Sequence, residues 1–262
     1  MSVGLPPALT AAGYNVVICH SNETYATEVA SAKALLASRV DGILVSHTKE
    51  TRNFDHLKAF GRTGTPVVFF NRVREEMAVS KVIVDDYRGA YRAVEHLLAI
   101  GKRRIAHLAR PDSLQNSRNR LNGYRDALIH HNVLPDPELI ISYDLTLEKV
   151  KIYVNHLLNL PHPPDALFAI NDPTALEALR VFKTRGLRVP DDIAVVGFSD
   201  DPLSELIEPG LTSVSQPVRA IGQQAARLLL NQLASEGEAV PIETVVLPTE
   251  LIIRGTTYAS SL

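Results

Sequence analysis

Short apolar runs alternate with amphipathic stretches along most of the chain. In most of these runs both alternating faces are apolar, which is typical of parallel strands covered by helices on both sides. The runs that predict strands are YNVVIC (14–19), VDGILV (40–45), TPVVFF (65–70), KVIVD (81–85), RIAHLA (104–109), LIISYD (139–144), DALFAI (165–170) and DIAVVGF (192–198). Because helical patterns lie between them, the sequence predicts an α/β fold with parallel sheets.

Two of the helical patterns have clear start and stop signals. In the stretch 86–101, Asp86 is the predicted N-cap and Gly101 ends the helix. Its apolar stripe consists of Ala90, Ala93, Val94, Leu97 and Leu98. In the stretch 172–186, Asp172 is the predicted N-cap and Gly186 the terminator.

Polar side chains follow almost every predicted strand. In open α/β sheets ligands bind beyond the carboxyl ends of the strands, so these side chains predict a binding cleft. Asp, Asn and Ser also cap helices, so the set as a whole, rather than any single member, indicates the site. The set comprises His20–Asn22, Ser46–Thr48, Asn71–Arg72, Asp85–Asp86, Arg110–Asp112, Asn171–Asp172 and Ser199–Asp201.

Composition and motifs argue against several kinds of chemistry without excluding an enzyme. A net charge of −2 over 262 residues gives no basic face for nucleic acid, and Cys19 is the only cysteine, so no internal disulfide forms. The sequence lacks a secretory signal and any long apolar run, which predicts a cytoplasmic protein without a membrane partner. Nucleophile-elbow, phosphate-loop, dinucleotide and metal-ligand motifs are missing from the sequence. We therefore expect no metal, no cofactor and no enzyme.

Several ordered segments carry a resemblance to a known family. They are GYNVVICHSNE, SRVDGILV, GTPVVFFNR, VIVDDYRGAYRAVEHLLAIGKRRIAHL, NRLNGYRDAL, PPDALFAINDPTALEALR, GLRVPDDIAVVGFSDDPLSELIEPGLTSVSQP and LPTELIIRGTT. Together they resemble the effector-binding domain of the LacI/GalR family of bacterial transcription regulators, over nearly the whole chain from about Ala8. The resemblance implies two Rossmann-like subdomains of the periplasmic binding protein type, joined by three crossovers.

The resemblance also sets the expected domain boundaries. It assigns residues 1–85 with 218–238 to one subdomain, and residues 86–214 with 242–262 to the other. The crossovers are expected near Asp85–Asp86, at Thr212–Pro217 and around Glu238–Pro241. The family's first strand and most of its first helix have no counterpart, and PPALTAAGY is similar to the tail of that helix.

The function implied by the resemblance is effector sensing. A small molecule, a sugar or sugar derivative, binds between the subdomains and controls DNA binding by the intact protein. Operator DNA would be bound only through a helix-turn-helix that this chain does not contain. A homodimer is expected, with the stripe Val29, Ala32, Leu35 and Leu36 either facing the partner or packing in the core. The alternatives are a solute-binding protein for uptake and an enzyme that acts on a sugar.

The resemblance assigns roles to individual residues. Arg120, in the Arg-x-x-Gly pattern that ends at Gly123, corresponds to the cation that grips the effector. On that basis, Arg120→Ala is expected to weaken effector binding with little loss of fold stability. Asn171 and Asp172 match the family's Asn-Asp pair. Either Ser199 or Asp200 takes the place of the acid in the usual Gly-Phe-Asp. The other candidates are Asn71 and Arg72, Asp85, Ser46, His47, and Phe168, which is either a platform for a sugar ring or part of the core.

Overall fold

The computed structural model describes residues 5–110, 114–144, 146–235 and 240–258. Its helices and strands alternate along the chain as the apolar pattern predicts. They are α1 (Leu5–Ala11), α2 (Tyr25–Ala37), β1 (Ile43–Val45), α3 (Asp55–Arg62), β2 (Val67–Phe70), β3 (Lys81–Val84), α4 (Asp86–Ala99), β4 (Ile105–Ala109), α5 (Gln115–His130), β5 (Ile140–Ser142), α6 (Leu147–Leu158), β6 (Ala166–Ala169), α7 (Asp172–Thr184), β7 (Ala194–Ser199), α8 (Leu203–Leu206), β8 (Thr212–Ser215), α9 (Val218–Leu233), β9 (Thr244–Leu247) and β10 (Glu250–Ile252).

These elements form two compact units, each built from two stretches of sequence. The first unit contains residues 1–84 and 217–247, and the second contains residues 85–216 and 248–262. The chain passes from one unit to the other after Val84, Gln216 and Leu247. The third crossover thus lies later than the expected position at Glu238–Pro241, of which Glu238 falls outside the described residues. The reason is that β9 still belongs to the first unit, where it pairs with β3.

The first unit is a parallel sheet with the strand order β1-β2-β3-β9. Its core has two layers, because apolar side chains point to both faces of the strands. On one face Val68, Val82 and Val84 pack with residues of α9, including Ile221 and Leu229. On the other face a second cluster packs against α2 and α3; it contains Ala32, Ile43, Leu57, Phe60, Val67 and Phe69.

The second unit is a six-stranded sheet with the order β10-β8-β7-β6-β4-β5. All neighbouring strands are parallel except β10, which runs antiparallel to β8. One face of the sheet packs against α4 and α5, and the other against α6 and α7. The parallel α/β prediction is confirmed, and the carboxyl ends of β4, β6 and β7 lie along one edge of this sheet.

The stretch YNVVIC is the one predicted strand that does not form. Residues 14–20 have no regular secondary structure, and Val17 and Ile18 are 68% and 52% exposed. Within the described residues, β1 is paired on only one edge, with β2. A strand needs a hydrogen-bonded neighbour, so an apolar run without one stays irregular whatever its β propensity.

Three residues of the apolar stripe on α2, Ala32, Leu35 and Leu36, pack in the hydrophobic core of the first unit. Ala32 is buried, and Leu35 and Leu36 are partly buried against the cluster that contains Phe60 and Phe69. This agrees with the core interpretation of that stripe, and the homodimer remains a prediction.

Two helix caps are shifted by one residue from their predicted positions. The N-cap of α4 is Asp85, whose side chain accepts a hydrogen bond from the backbone N–H of Arg88, and not Asp86. The N-cap of α7 is Asn171, which accepts from the N–H of Thr174, and not Asp172. In both Asp85–Asp86 and Asn171–Asp172, therefore, the first residue is the N-cap and the second is the buried first residue of the helix.

Gly123 lets two helices of the second unit approach closely. A Cβ atom built at Gly123 would lie 2.3 Å from the carbonyl oxygen of Tyr87 and 3.0 Å from the backbone nitrogen of Tyr91. These are backbone atoms of α4 and cannot move without separating α4 from α5. The glycine of the Arg-x-x-Gly pattern is thus required by packing.

Gly123→Ala is expected to lower the free energy of unfolding by about 1–3 kcal/mol, the usual cost of overpacking, although alanine favours a helix by up to about 1 kcal/mol. Urea denaturation followed by circular dichroism measures the change. Gly61 in α3 is the matched control, because a Cβ there meets no atom within 4 Å. Gly61→Ala is expected to stabilise the protein, and equal effects at both positions would contradict the packing argument.

Candidate functional site

Arg120 is the centre of the polar cluster at the carboxyl edge of the second sheet. It lies in α5, is 5% exposed, and donates from Nε to Asp86 Oδ1 at 2.8 Å. Its Nη2 lies 2.7 Å from the same oxygen. Its Nη1 donates to the carbonyl oxygen of Ile170, just after β6, at 2.5 Å. The guanidinium therefore joins α4, α5 and the end of β6.

The Arg120 guanidinium stacks on the ring of Phe198, near the end of β7. The guanidinium carbon lies 3.5 Å from the centroid of the Phe198 ring, which is a close cation–π contact. Phe198 itself is fully buried. Burial raises the pKa of Asp86, and the charge and hydrogen bonds of Arg120 oppose that rise. Ion pairing, hydrogen bonding and stacking together fix the orientation of the guanidinium.

Asp172 is a buried carboxylate that accepts hydrogen bonds from the loop after β7, from α8 and from β8. It is fully buried and accepts hydrogen bonds from the Ser213 hydroxyl at 2.6 Å, from the backbone N–H of Asp201 at 2.6 Å and from the Ser204 hydroxyl at 3.1 Å. Burial raises the pKa of Asp172, and these donors oppose the rise. Asp172 thus ties the end of β6 to the loop after β7 and to β8.

The loop after β7 has an unusual backbone. Ser199 and Asp200 have φ angles of 121° and 53°, which non-glycine residues seldom adopt. Such conformations cost about 1–3 kcal/mol each and cluster at functional sites. Two contacts hold them here: Gln216 Nε2 donates to Ser199 Oγ at 2.9 Å, and the N–H of Asp200 donates to Ser213 Oγ at 3.1 Å.

The side chains of Ser199 and Asp200 have different neighbours. Ser199 bonds to Gln216, the last residue before the second crossover. Asp200 forms an ion pair of 2.8 Å with Arg254, which also donates to the carbonyl oxygen of Leu211. Gln216 is 6% exposed, and its Oε1 is a buried acceptor without a hydrogen-bond partner among the described residues. An unsatisfied acceptor of this kind needs a donor from water or a ligand.

Phe168 lies in the core of the second unit. Its ring is fully buried and stacks on His107 at a centroid distance of 4.8 Å. The other face of His107 is near Tyr124, at 5.1 Å. This arrangement agrees with the core interpretation of Phe168, while Phe198 takes the position under the cation.

The strand ends of the first unit form a second polar cluster. Asn71, at φ 61°, donates to the Ser46 hydroxyl at 3.4 Å. Arg72 donates to Glu23 at 2.6 Å and to the carbonyl oxygen of His47 at 3.3 Å. His47 is 3% exposed, and burial lowers the pKa of its ring. Ser46, Asn71 and Arg72 are therefore brought together, whereas the His47 ring is enclosed.

Glu28 holds the loop that follows β1. It is 8% exposed and accepts from the backbone N–H of Thr48 at 2.6 Å, from the Thr51 hydroxyl at 2.8 Å and from His56 Nε2 at 2.7 Å. These contacts fix the backbone from which Ser46 and His47 project.

A groove of about 660 Å³ runs along the free edge of β1 in the first unit. It is lined by residues of the irregular stretch 14–23 and of 40–44, and by Leu9, Leu229 and Leu233. Ser46, Asn71 and Arg72 are among its polar lining residues. The groove thus combines apolar and polar side chains.

The clusters at the strand ends consist of hydrogen-bonding groups and paired charges. No group of three or more His, Cys, Asp or Glu side chains among them is arranged to hold a metal ion. No helix in the described part of the chain has the length and apolar character needed to cross a membrane. Pro111 and Asp112, two of the strand-end candidates, lie outside the described residues.

Sequence reasoning missed several residues that shape these clusters. Asp86 was predicted as a cap and instead pairs with Arg120. Glu23, Gln216 and Arg254 carry no local signal, because their partners are far away in sequence. The polar strand ends pointed to this edge of the sheet, and only the resemblance singled out Arg120 as a ligand contact.

Comparison with known proteins identifies the family. Residues 94–257 match the model of the periplasmic binding protein-like domain. The HTH-type transcriptional repressor CytR of Escherichia coli (strain K12) is 34% identical over 250 residues, which are 94% of this chain and 71% of the repressor. The chain belongs to the LacI family of transcription regulators. It is also 35% identical to the HTH-type transcriptional regulator CelR of Thermobifida fusca, over 84% of this chain and 64% of CelR.

Solved structures of LacI-family regulators share this fold. The complex of the transcriptional regulator CelR with cellobiose matches with a TM-score of 0.87 at 33% identity, over 97% of this chain and 77% of that chain. The transcription regulator GntR from Chromobacterium violaceum matches with a TM-score of 0.84 at 28% identity, over 97% of this chain and 92% of that chain. The expected fold, family and effector-sensing role are confirmed, and these relatives are regulators rather than enzymes.

Proposed function

We propose that this LacI-family chain binds a sugar or sugar derivative at its polar strand ends, with Arg120 as the principal contact. The observation that carries this proposal is the fixed guanidinium at the edge of the second sheet. Of its five N–H groups, three are used by Asp86 and the Ile170 carbonyl. With respect to the described residues, two remain to donate to the oxygens of neighbouring hydroxyls.

Other groups near the end of β7 supply complementary chemistry. The buried Oε1 of Gln216 accepts a hydrogen bond from a ligand hydroxyl. Ser199, whose hydroxyl bonds to Gln216, is the better candidate for the family's acid position, because Asp200 is engaged with Arg254. Asn171 and Asp85 cap helices at the same edge. Within the first unit, Ser46, Asn71 and Arg72 are proposed as effector-binding residues.

The regulatory role follows from the family. LacI-family regulators bind small-molecule effectors and operator DNA. For this protein we propose that effector binding controls DNA binding by the intact regulator, as a homodimer in the bacterial cytoplasm. A ligand shifts such an equilibrium only by the difference between its affinities for the two states.

A thermal-shift screen tests the proposal. The panel contains pentoses, hexoses, disaccharides, nucleosides and purines, with amino acids as a class that the proposal does not favour. We expect at least one sugar or nucleoside to raise the melting temperature in a concentration-dependent way, since binding to the folded state stabilises it. Stabilisation by amino acids alone would contradict the proposed effector class.

A further inference from the structure

Each of three arginines at the strand ends is already paired with a carboxylate. Arg120 is paired with Asp86 at 2.7 Å, Arg254 with Asp200 at 2.8 Å and Arg72 with Glu23 at 2.6 Å. The Arg120 pair is the most buried, with side-chain exposures of 7% and 4%. These guanidiniums therefore offer hydrogen-bond donors with little uncompensated positive charge.

The charge on Asp86 matters for what Arg120 can bind. A phosphate or carboxylate brought to the remaining N–H groups of the guanidinium would gain attraction from Arg120 and meet repulsion from Asp86, which lies farther away because it is bound to the Nε and Nη2 side. In a poorly hydrated site both interactions are strong, so the repulsion from Asp86 offsets part of the attraction to Arg120, and the cost of desolvating the anion remains. A neutral hydroxyl carries no charge for Asp86 to repel. Its binding energy comes from the hydrogen bond that Arg120 donates, which the nearby carboxylate weakens little.

An unpaired acceptor at the end of β7 points to the same class of ligand. Gln216 Oε1 is buried and lacks a partner among the described residues, so it requires a donor. A hydroxyl both donates and accepts a hydrogen bond, whereas an ionised phosphate or carboxylate oxygen only accepts. Hydroxyl groups thus satisfy both Arg120 and Gln216.

We propose that Asp86 is a specificity-determining residue that neutralises Arg120, so that the site takes an uncharged polyhydroxyl effector and rejects its phosphorylated or acidic counterpart. This inference rests on the proposed function, since it concerns the ligand class of the same site. It narrows the effector to a neutral sugar or nucleoside.

The first test uses wild-type protein and matched pairs: ribose with ribose 5-phosphate, glucose with glucose 6-phosphate and with glucuronate, and cytidine with its monophosphate. Isothermal titration calorimetry measures the affinity for each member. In every pair that binds, the neutral member is expected to bind at least about tenfold more tightly. A pair in which the anion binds as tightly as the neutral compound, or more tightly, overturns the proposal.

The second test needs no effector. Inorganic phosphate is titrated into wild-type protein, Asp86→Asn and the double variant Asp86→Asn with Arg120→Gln. We expect Asp86→Asn to bind phosphate at least about tenfold more tightly than wild type, because the cation is then uncompensated. The double variant is expected to lose this gain. A folded Asp86→Asn protein with wild-type phosphate affinity overturns the proposal, and Asp86→Ser takes its place if circular dichroism shows that Asp86→Asn does not fold.

The two tests separate failure of this inference from failure of the proposed function. If no sugar or nucleoside binds wild-type protein, but Asp86→Asn gains phosphate binding through Arg120, the proposed effector class is wrong and the charge role of Asp86 stands. If a sugar binds and its phosphate binds equally well, the effector class stands and the role of Asp86 is wrong.

Discussion

Replacing Arg120 by alanine is expected to lower the free energy of unfolding by about 3–5 kcal/mol, the usual cost of breaking a buried ion pair from one side. The substitution leaves the Asp86 carboxylate buried at 4% side-chain exposure without its partner. It also removes the donor to the Ile170 carbonyl and the cation above Phe198. Urea denaturation followed by circular dichroism measures the loss.

Two further variants separate the buried charge from the lost volume. Arg125, an exposed arginine of the same helix, is the matched control, and Arg125→Ala is expected to change stability by less than about 0.5 kcal/mol. Combining Arg120→Gln with Asp86→Asn removes both charges and is expected to cost less than Arg120→Ala. Equal stability of Arg120→Ala and Arg125→Ala would contradict the buried pair.

The sequence expectation that Arg120→Ala leaves stability nearly unchanged is therefore revised. It treated Arg120 as a helix residue that faces a ligand. In the structure the side chain is 7% exposed and joins α4, α5 and the end of β6. Arg120→Ala is thus a poor probe of binding, since it changes fold and ligand contact together.

Acidification from pH 6.5 to pH 4 is expected to remove about 3 kcal/mol of stability through His107 alone. Complete burial lowers the pKa of His107 to about 4. In the unfolded chain the group titrates near 6.5. The unfolded state therefore binds the proton first, so the contribution is fully present above pH 6.5 and is lost as the pH falls to about 4.

The surroundings of His107 explain why the proton is excluded. Nδ1 lies 2.9 Å from the Phe168 carbonyl oxygen, which assigns the single proton of the neutral ring to Nδ1. Nε2 is buried without a partner in the part of the chain that the structure describes. A second proton would create a buried, charged N–H with nothing to accept it.

Urea titrations at several pH values measure this effect. His107→Gln keeps a donor for the Phe168 carbonyl but does not titrate, so its stability is expected to depend less on pH in this window. Part of the dependence of the unfolding free energy on pH remains in this variant, because burial also lowers the pKa of His47 and of His96. His156→Gln, at an exposed position, is the control. If the unfolding free energy of His107→Gln depends on pH as strongly as that of wild type, His107 does not cause the loss of stability on acidification.

Sequence patterns predicted the elements whose signal is local. The apolar runs gave the positions of strands such as β4, β6 and β7, and Gly101 and Gly186, with φ angles of 92° and 73°, follow the helices that they were predicted to end. The prediction of a strand at 14–19 was wrong, because strand formation depends on a hydrogen-bonded neighbour in space, which a local sequence pattern does not reveal.

The candidate site was predictable as a region but not as a set of contacts. Polar residues after each strand placed it at the carboxyl edge of the sheet, and the resemblance singled out Arg120. The partner of Arg120 could not be predicted, since Asp85 and Asp86 are adjacent and equally suited to cap a helix. Which of the two faces inward depends on where α4 begins, and a shift of one residue exchanges cap and ion pair.

The most direct test of the account is calorimetric titration of Arg120→Lys with the effector that the thermal-shift screen identifies. Lysine retains the positive charge opposite Asp86 but lacks the planar group that donates to two hydroxyls at once. With the fold retained, Arg120→Lys is expected to bind the effector at least about tenfold more weakly than wild type, while Arg125→Lys binds it normally. Wild-type affinity in Arg120→Lys would show that Arg120 does not hold the effector.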